Sequence, residues 1–202
     1  MRKGPPPTYN TGLMDPLAKL FGSAARIKLL RLFLFNEEEW FTPSEAAFRA
    51  KAGKAAARKE ILSLFSNKVL RKKAGKGGTV YAANPKFVHF DSLRTFLRTS
   101  SGVDDQSITH SLKKVGALRL IVLSGMFTGV PESQIDLMIV GDKLDERTLA
   151  SVVQALEAEL GRELRYASFT TEDFRYRIGV YDRLVRDVLD YPHRLVLDKI
   201  GM

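Results

Sequence analysis

The chain has 202 residues, 45% of them hydrophobic, so it is long enough for two small domains or one larger one, each with a buried core. It contains no cysteine, which excludes disulfides, thiolate metal sites, iron–sulfur clusters and a cysteine nucleophile. The net charge of +9 is unevenly divided: residues 1–100 hold 19 Lys or Arg against 7 Asp or Glu, a net charge of +12, whereas residues 101–202 hold 13 against 16, a net charge of −3.

The charge of the first half points to a polyanion as its partner. A generally basic surface would explain the total charge but not its confinement to one half, and nucleic acid is favoured over an anionic membrane surface. No apolar run approaches the roughly 18 to 20 residues that cross a bilayer, and no apolar stretch follows the charged start. We therefore expect a cytoplasmic protein without a membrane partner.

Three helices are predicted after a short N-terminal arm. The arm, residues 1–14, contains three consecutive prolines and no periodicity, which favours a mobile segment. Helix start signals are found at Asp15-Pro16 and at Thr42-Pro43-Ser44-Glu45. The apolar periodicity then predicts helices over about 15–35, with a break or bend near Gly22-Ser23, over 43–51, and from about Lys54 to Ser66.

After Asn67 the pattern changes to extended. The β-prone runs VLRKK and TVYAA flank AGKGG, a glycine-rich turn of hairpin length. Three helices followed by a hairpin predict a winged helix-turn-helix domain over residues 15–99, ending in a short helix from Asp91 to Arg98. The polar segment TSSGVDDQS that follows predicts a linker at 100–107 and a second domain at 108–202.

The second half alternates helices with apolar strands. Strands are predicted in LRLIVLSGMF, IDLMIV and RELRYASF, and helices over 107–115, 145–160 and 171–190. Continuous apolar strands are typical of a sheet covered on both faces. The expected fold class is therefore α/β (α+β), with a winged helix-turn-helix domain followed by a mixed-sheet domain.

The predicted third helix has one face suited to a core and one suited to DNA. A helical wheel groups Ala57, Ile61, Leu64 and Phe65, and places Arg58 at the border of this apolar stripe. Arg and Lys in the hairpin suit sugar-phosphate contact, whereas side chains on the helix can reach base edges. The candidate DNA-binding residues are Lys54, Ala55, Arg58, Lys59 and Ser63 on the helix, and Arg71, Lys72, Lys73 and Lys76 in the hairpin. For any single lysine, a solvated surface charge is the simpler explanation.

Residues 15–90 resemble the winged-helix domains of prokaryotic transcriptional regulators, most clearly in GKAAARKEILSLFSNKVLRKK and the hairpin after it. Winged helices also bind RNA or other proteins, and the basic hairpin is the feature that favours double-stranded DNA here. Helix-turn-helix proteins commonly bind paired half-sites as dimers, so a homodimer is open as a further partner.

LIVLSGMFTGVPESQIDLMIVGD, residues 120–142, resembles the signature of small members of the nucleotidyltransferase superfamily. Such proteins carry Gly-Ser after the first strand, Arg-Gly a few residues on, and an Asp-x-Asp pair that holds Mg²⁺. Here Ser124-Gly125 stands in reverse order, Thr128-Gly129 replaces Arg-Gly, Gln134 replaces the first Asp, and only Asp136 remains.

One carboxylate cannot assemble the two-metal centre of such an enzyme, and a neutral amide is a poor Mg²⁺ ligand. The resemblance therefore implies a transcriptional regulator whose second domain keeps a remnant nucleotide site, formed by Ser124, Gly125, Gln134 and Asp136. We expect no catalytic residue, metal or cofactor, and a role for this domain in assembly or in sensing a small-molecule or nucleotide ligand. The alternative is an active nucleotidyltransferase that transfers a nucleotide to RNA or protein.

Overall fold

The computed structural model describes residues 17–100, 103–129 and 133–202. The predicted N-terminal arm and the start signal at Asp15-Pro16 lie outside these residues. The described chain has a mixed α/β architecture of the α+β kind, with helices around two separate sheets. Among its helices, none combines the length and the apolar composition needed to cross a bilayer.

Residues 17–100 form helices followed by a hairpin, in the predicted order. The elements are α1 (Leu17–Leu20), α2 (Ala24–Phe35), α3 (Pro43–Arg49), α4 (Lys54–Ser66), β1 (Leu70–Gly75), β2 (Gly78–Ala83) and α5 (Phe90–Thr99). The predicted break between α1 and α2 is confirmed: Gly22 has a φ of +73°, and the Ser23 hydroxyl caps α2 by accepting from Arg26 N.

Helix α3 begins at the predicted signal because Thr42 and Glu45 form a reciprocal capping box. Helix α4 has the bounds predicted from the sequence. The hairpin pairs Leu70 with Ala83 at one end and Gly75 with Gly78 at the other, so Lys76 and Gly77 form its tip. Phe41 adds a one-residue bridge to Tyr81 on the other side of β2.

Helix α2 packs against helices of both halves of the molecule. Seven of its twelve residues are buried, on all sides of the helix, as expected for a helix enclosed by other elements. It packs against α3, α4 and α5 on the side of the first half, and against a helix of the second half, α7 (Glu146–Leu160).

The second half is a four-stranded sheet between two layers of helices. Its remaining elements are α6 (Asp105–Leu112), β3 (Ala117–Leu123), β4 (Leu137–Asp142), β5 (Tyr166–Phe169), α8 (Thr171–Gly179), α9 (Arg183–Asp190) and β6 (Arg194–Asp198). The strand order is β5-β4-β3-β6, with β4 and β5 parallel and the other two pairs antiparallel. The mixed sheet is thus confirmed.

Both faces of the sheet are buried, as its apolar strands predicted. Ile121 and Ile139 face a core shared with α6 and α7, and Val122 and Met138 face a core shared with α8 and α9. The two sets alternate along each strand, because successive side chains of a strand point to opposite faces.

Four predictions for the second half were wrong in detail, and one strand was not predicted. The strand predicted over LRLIVLSGMF ends at Leu123, and Gly125–Phe127 forms a 3-10 turn. The predicted helix over 171–190 is two helices, because Tyr181 adopts a φ of +56° and Asp182 caps α9. The third strand is shorter than RELRYASF, and β6 was not predicted. Helix α6 begins within the segment predicted as a linker, because Asp104 caps it by accepting from Ser107 N.

The two halves are joined through the C-terminal end of α7. Arg31, which is 1% exposed, donates from Nη1 to Glu159 O at 3.0 Å and from Nη2 to Ser100 O at 3.2 Å. Lys28 forms an ion pair of 2.8 Å with the Glu159 carboxylate, and Asn36 Nδ2 donates to Gly161 O at 2.7 Å. The cations therefore lie at the partially negative end of α7.

Candidate nucleic-acid interface

Helix α4 is fixed to the core along one face. Ala57, Ile61 and Leu64 are buried there, as the helical wheel predicted. Glu60 is also buried, and its carboxylate accepts from Arg26 Nε on α2 at 2.7 Å. This ion pair and the apolar contacts set the rotation of α4, and with it the direction of the opposite face.

The opposite face of α4 is open to solvent. Lys54, Ala55, Arg58 and Lys59 are exposed, and Ser63 is half-buried. Alanine side chains beside the cations allow a close approach to the helix backbone. Leu62, which is 48% exposed, lies on the same open side and had not been singled out from the sequence.

Three of the four hairpin cations lie over aromatic rings. Lys72 Nζ is 4.6 Å from the centroid of the Phe65 ring, and Phe65 is on α4. Lys73 Nζ and Arg71 Cζ lie 3.9 and 5.0 Å from the Trp40 ring, on the other face of β1. Cation–π contacts of this kind restrain the charged ends of these side chains, by about 0.5 to 1 kcal/mol at exposed sites.

The charges of this surface are almost all of one sign. Residues 54–76 contain a single acid, Glu60, and eight cations: Lys54, Arg58, Lys59, Lys68, Arg71, Lys72, Lys73 and Lys76. In the described part of the chain none of the eight forms an ion pair, whereas Glu60 is occupied by Arg26. Elsewhere in residues 17–100, carboxylate partners are found for Arg26, Lys28, Arg49 and Arg94 but not for Lys19, Lys51, Lys86 and Arg98, so the surface is distinguished by the density of its cations and not by their lack of partners alone.

Sequence reasoning missed Trp40 and Lys68. Trp40 lies just before Phe41, whose backbone pairs with Tyr81 at 2.9 and 2.8 Å, and this pairing carries the indole to the hairpin. Lys68 has a φ of +62° in the turn between α4 and β1. The only tryptophan of the chain could have been singled out from the sequence. Its contact with β1 could not be predicted, because it depends on pairing between segments about 40 residues apart.

In the second half, the predicted remnant nucleotide site is closed around Asp136. This residue is 2% exposed, and its carboxylate accepts from Met126 N at 2.9 Å and from the Arg165 backbone and side chain at 2.8 to 3.0 Å. Burial acts to raise the pKa of Asp136, but the hydrogen bonds and the charge of Arg165 outweigh it and hold the pKa below its ordinary value. Asp136 is therefore an ionised acid with its own counterion.

The structure brings Ser124 and Gly125 to Asp136 but not Gln134. A Cβ at Gly125 would lie 2.2 Å from Asp136 Oδ1, so the glycine is required by this acid. Ser124 N donates to Asp136 O, and the Ser124 hydroxyl donates to Ile135 O. The Gln134 residue is exposed, and its backbone N–H donates to Asp187 on α9. The group beside the Asp136 carboxylate is thus the guanidinium of Arg165 and not a second acid.

Within the described ranges, no three His, Cys, Asp or Glu side chains are grouped as metal ligands. Comparison with family models, with curated proteins and with solved structures gave no match.

Proposed function

We propose that this chain is a cytoplasmic, DNA-binding transcriptional regulator, with a winged helix-turn-helix domain that places α4 in the major groove and the β1–β2 hairpin on the sugar-phosphate backbone. The observation that carries the proposal is the charge of residues 54–76. Their cations are without carboxylate partners and lie on the open side of α4 and on the hairpin, while their one acid is buried and paired.

The two parts of this surface have different roles in the proposal. Lys54, Arg58 and Lys59 are exposed on a rigid helix and can reach base edges, which carry the sequence information. Lys72, Lys73 and Lys76 are on the hairpin, where they neutralise phosphates and fix the position of the protein on the duplex. Trp40 and Phe65 hold two of these lysines in place before DNA is bound.

For the second half we propose a degenerate nucleotidyltransferase-like domain that senses a ligand or supports assembly and transfers no nucleotide. Asp136 is enclosed by donors and paired with Arg165, so it has no free oxygen toward which a metal ion could be drawn. The neighbouring strand β5 carries Tyr166 and Ser168, and neither can replace a carboxylate.

The test is binding of the full chain to a labelled DNA duplex of about 25 base pairs, followed by fluorescence anisotropy over a range of salt concentrations. If about five phosphates are neutralised, the logarithm of the binding constant falls against the logarithm of the salt concentration with a slope of about −4 to −5. Duplex RNA of equal length is the competitor. A slope near zero, or stronger binding to the RNA, would contradict the proposal.

Variants that each remove one positive charge show which surface of the protein binds DNA. Lys59→Ala and Lys76→Ala should weaken binding, whereas Lys114→Ala removes an exposed lysine from the second half and should not. Selection of duplexes from a random pool then shows whether binding is sequence-specific. Mg²⁺-dependent transfer of labelled nucleotide to RNA or protein, lost in Asp136→Asn, would favour the alternative of an active enzyme.

A further inference from the structure

Leu62 is an apolar side chain on the open, basic face of α4, where it is 48% exposed. Residues two apart on a helix lie about 200° apart around its axis, so Leu62 points away from the buried Glu60 and Leu64. Arg58 and Lys59 precede it by four and three residues, spacings at which Cβ atoms on a helix surface are about 5 to 6 Å apart. Leu62 is thus an apolar group between two exposed cations, near the middle of the open face.

Ring contacts join this face of α4 to the hairpin. Phe65, three residues after Leu62, packs edge-on against Tyr81 of β2, with ring centroids 6.1 Å apart. Lys72 of β1 lies over the same Phe65 ring, with its Nζ 4.6 Å from the centroid. A duplex that contacts the hairpin through Lys72 therefore lies next to the face that carries Leu62.

The open face offers hydrogen-bond donors but no carboxylate or amide oxygen. Arg58 and Lys59 are exposed there, and their side chains can only donate. All of α4 lies within the described residues; it contains no Asp, Asn or Gln, and its one Glu is buried and accepts from Arg26. The face therefore suits acceptor atoms and apolar groups, and it is poorly suited to amino groups.

We propose that α4 reads a guanine and a neighbouring thymine in the major groove, with Leu62 against the thymine methyl group. This inference rests on the proposed DNA-binding function and names the bases that the same surface recognises. In the major groove guanine presents two acceptors, O6 and N7, which match Arg58 and Lys59, whereas adenine and cytosine each present an amino group that needs an acceptor. Thymine presents the C5-methyl, an apolar group that matches Leu62.

The experiment starts from a duplex that the full chain selects from a random pool. Its thymines are replaced one at a time by deoxyuridine, which lacks only the methyl group, and binding is measured by fluorescence anisotropy. For the parent protein we expect one replacement, beside a guanine, to lower the binding constant about fourfold, the change that corresponds to burial of one methyl group. Replacing that guanine by 7-deazaguanine, which lacks the N7 acceptor, should lower it by about fivefold or more.

The methyl contact is assigned to one side chain by three variants. In Leu62→Ala the deoxyuridine replacement should change binding by less than about twofold, because the group that met the methyl is gone. Leu62→Met keeps an apolar side chain of similar length and should retain the fourfold loss. So should Leu195→Ala, which removes a leucine of similar exposure, 41%, from the second half.

The possible failures are distinguishable. A parent protein that selects no common base pattern, or is indifferent to every deoxyuridine replacement, would overturn this inference and leave DNA binding itself standing. A fourfold loss that persists in Leu62→Ala would also overturn it. Absence of binding to any duplex would overturn both this inference and the proposed function.

Discussion

Asp136→Asn is the substitution that most directly tests the structural account of the remnant site. If Asp136 is a structural acid, its replacement by the isosteric amide should destabilise the fold. The carboxylate accepts four hydrogen bonds, from Met126 N and from Arg165 N, Nε and Nη2. The amide offers one acceptor oxygen and turns an NH₂ group toward donors.

The expected loss of unfolding free energy depends on how deeply Asp136 and Arg165 are buried. Removing one partner of a fully buried ion pair costs roughly 3 to 5 kcal/mol. The Arg165 side chain is 48% exposed and can be solvated when unpaired, so the cost is lower. Hydrogen bonds to charged groups contribute about 1.5 to 3 kcal/mol. We therefore expect a loss of about 2 to 3 kcal/mol, or about 5 to 10 °C in Tm for a chain of this length.

The measurement is thermal unfolding followed by circular dichroism between pH 3 and 8. Because the pKa of Asp136 is lowered in the folded state, its stabilisation is present above the ordinary carboxyl pKa, near 4, and is lost as the pH falls through the folded value. The Tm gap between parent and variant should thus be constant above about pH 5 and shrink below it. Asp190→Asn is the control, since Asp190 is exposed and its ion pair with Arg186 lies at the surface of α9. Equal losses in the two variants, or a gap that does not change with pH, would refute this account.

Three further outcomes are expected. Gly125→Ala should cost at least about 2 kcal/mol of unfolding free energy, because its Cβ would lie 2.2 Å from Asp136 Oδ1 at a φ of +52°; denaturant titration measures this. Gly161→Ala should lower Tm more than Gly22→Ala, since both glycines have a φ of +73° but only the Cβ at position 161 would lie 2.5 Å from Arg31 Cβ; equal losses of Tm would argue against close packing of α7 on α2. Lys59→Ala should reduce binding to a selected duplex more than to a random one, while Lys76→Ala should reduce both alike, as measured by anisotropy; equal effects on specificity would mean that α4 is not the recognition helix.

The elements of the first half could be predicted because their signals are local. The capping box at Thr42 and Glu45, the periodicity of α4 and the glycines of the hairpin tip each act within a few residues. The exposed face of α4 followed from the same periodicity. The burial of Glu60 could not be predicted from this periodicity, because the side chain that pairs with it, Arg26, is 34 residues away in sequence.

The surroundings of Asp136 could be predicted only in part. Ser124, Gly125 and Asp136 were found because they resemble a motif, but the role of Arg165 depends on parallel pairing of β4 with β5. Tyr181 gave no signal, since a positive φ is unusual for tyrosine, although Asp182 was a visible capping residue. Strand β6 is short and largely exposed, so its apolar pattern is weak.

The burial of Arg31 bears on how the molecule unfolds. A chain cut after Ser100 would leave Arg31 and Lys28 without Glu159, and would open to water the side of α2 that packs on α7. The first half would then lose stability although none of its own residues had changed. Shared burial of this kind couples the two cores, so denaturant should unfold the chain in one cooperative transition. Local opening at the C-terminal end of α7 should also lower the stability of α4, because both helices pack against α2.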